Sequence, residues 1–264
     1  CNPELGFKEF KTAKLVKEIM ADLNIPYQSE LAITGVKGKI EGKKSGPTLA
    51  LIGELDSLAV QGHPMDNKKT GAAHACGHNA QIAGLIGAAI AITKTNVMDS
   101  LAGNLVFFAV PAEEYVEVEY RTNLVREGKL EFLGGKPELI RLGHFDDVDL
   151  AMMIHTSNKS EGFSAGIADS SNGCVVKMIE FIGKAAHAGG APHKGINALN
   201  AANVALSAIH AQRETFRDSD TIRVHPIITR GGDTVNVVPS NVSIETYVRG
   251  KTLPAIRDTN EKVD

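Results

Sequence analysis

The chain has 264 residues, 43% hydrophobic and 22% charged, with a formal net charge of −3. Those proportions describe one large or two ordinary globular domains and exclude a disordered chain. The longest nearly apolar run, residues 82–92, is glycine- and alanine-rich and far shorter than the roughly 20 residues that cross a bilayer, so no membrane partner is expected.

Lysines and arginines are scattered rather than blocked, tryptophan is absent, and aromatic residues make up 5%. Neither a nucleic-acid footprint nor a stacking platform for bases is present, and the expected partner is a small polar molecule. Three dispersed cysteines, Cys1, Cys76 and Cys174, do not make a disulfide framework, so a reducing, cytoplasmic setting is expected. The chain opens Cys1-Asn2-Pro3 rather than with methionine, and its natural start is expected upstream.

In chain order, residues 7–23 carry Phe10, Leu15, Val16, Ile19 and Leu23 between lysines, the periodicity of an opening amphipathic helix. Three short apolar runs follow at 48–53, 104–110 and 148–154 and read as buried strands. Each is followed at once by residues capable of chemistry: Glu54 and Asp56, then Glu113 and Glu114, then His155. In open α/β sheets, ligands bind beyond the carboxyl ends of the strands. The charged stretch 115–147, split at Gly134-Gly135-Lys136-Pro137, reads as two helices inserted over that site.

From Cys174 the pattern becomes strand 174–182, helix 196–216, strands 222–229 and 242–248, and a helix starting near Pro254. That order is a split βαβ, ferredoxin-like sandwich lacking its last strand. The expected class is therefore α/β: a catalytic domain over residues 1–172 with a central, mostly parallel or mixed sheet flanked by helices. An inserted α+β lid and dimerisation domain over 173–264 follows, truncated at its end.

The chemistry concentrates in His74-Ala75-Cys76-Gly77-His78-Asn79. A thiol and an imidazole separated by one glycine can turn toward one metal ion when the backbone is a loop, with Asn79 placed to cap the following helix. Taken alone, the same spacing also fits a buried cysteine beside a hydrogen-bonded histidine. Pro111-Ala112-Glu113-Glu114 sets two carboxylates at a strand end, where one can ligate a metal and the other move a proton. By itself that pair also suits a helix start. Adjacent carboxylates are poorly placed to flank a glycosidic bond. His155 follows the third strand, and a cysteine, two histidines and a glutamate arriving from separate strand ends build a divalent site.

With these motifs the sequence resembles the dinuclear metal-dependent amidohydrolases and exopeptidases. That family includes aminoacylases, indole-acetic-acid amino-acid hydrolases, carboxypeptidase-G-type enzymes and p-aminobenzoyl-glutamate hydrolases. The likeness runs through nearly the whole chain. It adds Asn2-Pro3-Glu4-Leu5-Gly6, Glu54-Leu55-Asp56-Ser57-Leu58, Met153-Ile154-His155, Gly183-Lys184-Ala185-Ala186-His187-Ala188-Gly189 and Asn236-Val237-Val238-Pro239.

The resemblance implies two divalent metal ions, manganese or zinc, held by Cys76, His78, Glu114 and His155, with Glu113 as general base and Asp56 in support. It also implies a small-molecule amide substrate and a homodimer formed through the lid. His187 would assist the substrate carbonyl, in related enzymes from the partner subunit, and Asn236 and Arg249 would contact substrate. Asn79 and Gln81 stand where the conjugate hydrolases carry aspartate and histidine, which is closer to the p-aminobenzoyl-glutamate branch. The family's last histidine ligand is expected beyond Asp264.

Two other readings compete. Cys76 as a nucleophile is disfavoured because His78 is too near in sequence to serve easily as its base and no orienting residue announces itself. A non-catalytic, ligand-binding or dimerising relative of the same fold remains the alternative to hydrolysis.

Overall fold

The opening periodicity forms α1 (Phe10–Asp22), which buries Ala13, Val16 and Met20. Its first turn has no cap from the preceding side chain. Glu4 accepts hydrogen bonds from the backbone N–H of Lys11 at 3.1 Å and Thr12 at 2.9 Å instead, satisfying donors the helix cannot. The computed structural model describes residues 2–157, 166–167 and 170–264, which form two compact units, 1–161 and 162–264.

In the first unit α1 leads to β1 (Tyr27–Leu31), β2 (Gly35–Glu41), β3 (Lys44–Glu54), β4 (Leu58–Ala59), β5 (Ala72–Ala73), α2 (His78–Thr95), β6 (Ala102–Val110), α3 (Val118–Arg126), α4 (Gly135–Arg141) and β7 (Leu150–Met153). The main sheet runs β1-β2-β6-β3-β7. β6, β3 and β7 are mutually parallel, whereas β1 and β2 are antiparallel additions on one side. The expected mixed sheet flanked by helices is thus present. β1 and β2 were not foreseen, because Tyr27–Leu31 is a polar run and β2 carries Gly35 and Gly38. Gly38 is there for space, since a Cβ would lie 3.0 Å from Met20 Sδ of α1.

Over β6 and the adjoining part of β3 both sheet faces are covered, as parallel strands require, whereas β7 is exposed along its length, against the expectation of a buried strand. Phe107 joins Val16, Met20, Leu55, Ile82 and Leu85 on the side of α1 and α2, while its neighbour Phe108 joins Phe7, Val106, Leu124, Leu130 and Leu139 on the other. Adjacent residues of one strand point to opposite faces, and each fully buried phenylalanine contributes about 2–3 kcal/mol. The segment 115–147 therefore supplies Leu124, Leu130 and Leu139 to the second core layer, where the sequence pattern had placed it over the site. Gly134 and Gly135 open α4 rather than only marking a turn.

The second unit consists of β8 (Gly173–Ile182), α5 (Ala198–Ala211), β9 (Arg223–Val224), β10 (Ile227–Arg230), β11 (Asn241–Gly250) and α6 (Leu253–Val263). β11 is central, antiparallel to β8 and β10, with β9 pairing beside it. Val242, Ile244, Thr246 and Val248 alternate inward against residues of α5 and α6 such as Ala202, Ile209 and Ala255. Among the described residues no helix is long and apolar enough to cross a membrane.

Candidate metal centre

The parallel register decides where the chemistry gathers. Glu54 at the end of β3 pairs with Val110 at the end of β6, and Ile52 pairs with Met153 of β7. Asp56, Glu113, Glu114 and His155 therefore leave the sheet at one edge, the carboxyl edge where such sheets hold ligands. Cys76 lies in the loop after β5, and His78 is the first residue of α2.

Gly77 between them has φ +113°, and a Cβ there would lie 2.1 Å from Thr156 Oγ1, so the reversal needs glycine. Thr156 Oγ1 also donates to the Cys76 carbonyl at 3.0 Å, tying the loop of Cys76 to that of His155. Asn79 is not the helix cap: the left-handed Gly77 turns directly into α2, which leaves Asn79 within the first turn.

The four expected ligands converge. Cys76 Sγ is 3.3 Å from His155 Nε2, and His78 Nε2 is 4.0 Å from Glu114 Oε1 and 3.8 Å from Glu113 Oε2. Asp56 binds two members of the site at once. Its Oδ2 accepts from the Glu114 N–H at 2.9 Å, and its Oδ1 stands 3.2 Å from His78 Nδ1.

Glu54, given no role by sequence reasoning, places Oε2 3.0 Å from His78 Nε2 and ion-pairs through Oε1 with Lys136. Its backbone N–H donates to Gln81 Oε1 at 3.0 Å. A local signal for Glu54 existed: it precedes Asp56 by two residues at a strand end and so shares its side. Lys136, 82 residues away, offered none.

The donor set fits a divalent cation. His78 Nδ1 meets the Asp56 carbonyl at 3.0 Å and His155 Nδ1 meets the Thr156 carbonyl at 2.7 Å. Backbone acceptors that engage Nδ1 select the tautomer with a free Nε2 lone pair, the second-shell arrangement of metal-ligating histidines. Ligand atoms of Cys76, His78 and His155 lie within 4.8 Å of one another, as do those of Glu54, His78 and Glu113. A thiol, imidazoles and carboxylates together suit a transition-metal ion.

The electrostatics agree. Burial first, then the neighbouring Glu114 and the charges of Glu113 and Glu54, push the Cys76 thiol up to about 12. For His78, burial opposes the charge, but Asp56 and Glu54 raise the imidazole to about 10. Burial likewise opposes ionisation of Glu54, yet His78 and Lys136 bring it down to about 2. Glu113 is raised by burial first and by the charge of Glu54 second, the direction that favours a proton carrier. A cation binding here displaces protons from Cys76 and His78 and neutralises the crowded carboxylates.

In the second unit His187 is exposed and bridges Val237 in antiparallel pairing. Its Nδ1 accepts the N–H of Gly189 at 3.2 Å and of Gly190 at 2.9 Å, which leaves the proton on Nε2 as an outward donor. Asn236 lies alongside, its carbonyl accepting the Ala188 N–H at 2.9 Å. Arg249 is not brought to them. It sits near the other end of β11, over the Tyr247 ring at 4.9 Å, and eight residues of extended chain from Asn241 place it roughly 26 Å along the strand.

Comparison with known proteins accords with this geometry. Residues 172–263 match the M20 peptidase dimerisation domain. Over 94% of its length the chain is 31% identical to N-acetyl-L-cysteine deacetylase of Bacillus subtilis and 30% identical to thermostable carboxypeptidase 2 of Saccharolobus solfataricus. The chain is related to the M20 peptidases and amidohydrolases. It spans 56% and 60% of those two relatives, somewhat over half of each. The crystal structure of the Bacillus subtilis YXEP protein, a dinuclear metal-binding M20 peptidase, shares the fold over 99% of this chain and 64% of its own, at 23% identity and a TM-score of 0.64.

Proposed function

We propose that the protein containing this chain is a metal-dependent hydrolase that cleaves the amide bond of N-acyl amino acids, amino-acid conjugates or small peptides. The observation that carries the reading is the convergence of Cys76, His78, Glu114 and His155 at one sheet edge, with the Glu113 carboxylate 3.8 Å from His78. These four residues would hold the metal, zinc or manganese, at a site of two divalent ions. When bound, such ions supply positive charge that polarises a carbonyl and acidifies water.

Glu113 accepts the proton of the attacking water and returns it to the leaving amine. Its raised proton affinity supports that exchange. Asp56 holds His78 and the Glu114 backbone in place. In a homodimer formed through the second unit, His187 offers its Nε2 proton to the substrate carbonyl, where such a donor steadies developing negative charge. Asn236, beside it, contacts substrate. The free thiols of Cys76 and Cys174 support a cytoplasmic setting; Cys1 lies outside the described residues.

The test is elemental analysis of the purified full-length protein before and after chelation, with hydrolysis of an N-acyl amino-acid panel measured on the same samples. Activity that disappears and returns with zinc or manganese supports the reading. A folded protein that takes up neither metal overturns it. Glu113→Gln should abolish turnover and leave the metal bound.

A further inference from the structure

Glu54 is almost wholly buried, with its side chain 2% exposed, and lies between two basic groups. One oxygen stands 3.0 Å from His78 Nε2, and the other pairs with Lys136. Four carboxylates, Glu54, Asp56, Glu113 and Glu114, surround His78 within 4.0 Å. Lys136 is the cation paired with one of them.

The segment that delivers Lys136 is held from two sides. The Gly135 N–H donates to the Ala112 carbonyl at 3.1 Å. Arg121, fully buried, donates through Nη1 to the Leu133 carbonyl at 2.8 Å and through Nη2 to the Glu114 carbonyl. Gly135 packs so closely that a Cβ would lie 1.9 Å from the Pro111 carbonyl oxygen. Residues 133–136 and the turn carrying Glu113 and Glu114 thus form one braced structure, and Lys136 reaches the site from a fixed base.

We propose that Lys136 is a positioning residue for the metal centre, holding one oxygen of Glu54 so that the other, which like His78 Nε2 has no hydrogen-bond partner, stays aimed at the space beside that nitrogen where both would face a bound cation. The inference rests on the metal-centre reading above. Outer groups of this kind, when removed, typically weaken metal binding by about 10- to 100-fold.

The experiment uses the full-length protein with Lys136→Met, Lys136→Arg, Glu54→Gln and the Lys136→Met/Glu54→Gln pair. Manganese and zinc affinities are measured by competition with a chromophoric chelator, and the visible spectrum is recorded after loading with cobalt(II). Lys136→Met is expected to weaken binding at least about 10-fold and to alter the cobalt spectrum, with Lys136→Arg restoring most of both.

If Lys136→Met alone fails to fold because it strands a buried carboxylate, the double variant, which removes both charges, is read against Glu54→Gln. The positioning role requires the two to bind metal alike, because Lys136 acts only through Glu54. A further loss in the double variant overturns the proposal. So does wild-type affinity with an unchanged spectrum in Lys136→Met, while the wild type still binds metal. A wild type that binds no divalent metal overturns the metal-centre reading, and this proposal with it.

Discussion

Glu9 is fully buried, contributed by the turn before α1. Its Oε1 accepts the Ala112 N–H at 2.8 Å, and its Oε2 lies 2.6 Å from Thr34 Oγ1. Burial above all, countered in part by Thr34 and reinforced by the charge of Asp56, raises this carboxyl from 4.5 to about 7. A carboxyl whose folded value is raised binds more protons folded than unfolded between those limits, so its contribution to stability falls as pH rises through that window. At 1.36 kcal/mol per pH unit, the interval between 4.5 and about 7 bounds the effect at roughly 3 kcal/mol, of which about 2.5 kcal/mol falls between pH 5 and pH 8.

Glu9→Gln removes the titration and keeps the contacts, since an amide oxygen can accept from Ala112 and an amide nitrogen can donate to Thr34. Urea unfolding of the wild type and the variant at pH 5 and pH 8 supplies the double difference, in which every other titrating group cancels. The variant should gain about 2 to 3 kcal/mol on the wild type between the two pH values. A difference that stays constant within about 0.5 kcal/mol would refute the claim that Glu9 is forced to ionise in a site that disfavours its charge.

Other expectations follow from the same geometry. Gly77→Ala puts a Cβ 2.1 Å from Thr156 Oγ1 at φ +113°. It should cost at least about 1–3 kcal/mol and lower metal content at fixed free metal, both read on the purified protein. His187→Ala removes the outward Nε2 donor while leaving the first unit untouched. Its kcat should fall by about 100-fold or more with the metal content unchanged, and parallel loss of metal would contradict that assignment.

Much of the site was legible because its ligands announce themselves locally. Cys76-Gly77-His78 is one short turn, and Glu113 and Glu114 follow β6 within four residues. The apolar runs that became β3, β6 and β7 signal strands by composition, but burial follows only for β6 and the later part of β3, while β7 is exposed along its length. β1 and β2 escaped because an edge strand needs no apolar alternation and because Gly38 answers to Met20 of another element. Arg249 was expected among substrate-contacting residues on resemblance, and only the strand register shows it near the opposite end of β11 from Asn236.

The sequence by itself determined which donor types exist, their spacing, and the strand ends that present them, because those properties are carried by runs of a few residues. Tertiary structure alone decided that Glu54 meets Lys136 across 82 residues, that Glu9 meets Ala112 across 103, and that Arg121 braces the carbonyl of Glu114. Such pairings depend on sheet register and on how tightly layers pack. Neither is encoded in any local pattern, since a residue's partner is chosen by the face and edge to which the whole fold delivers it.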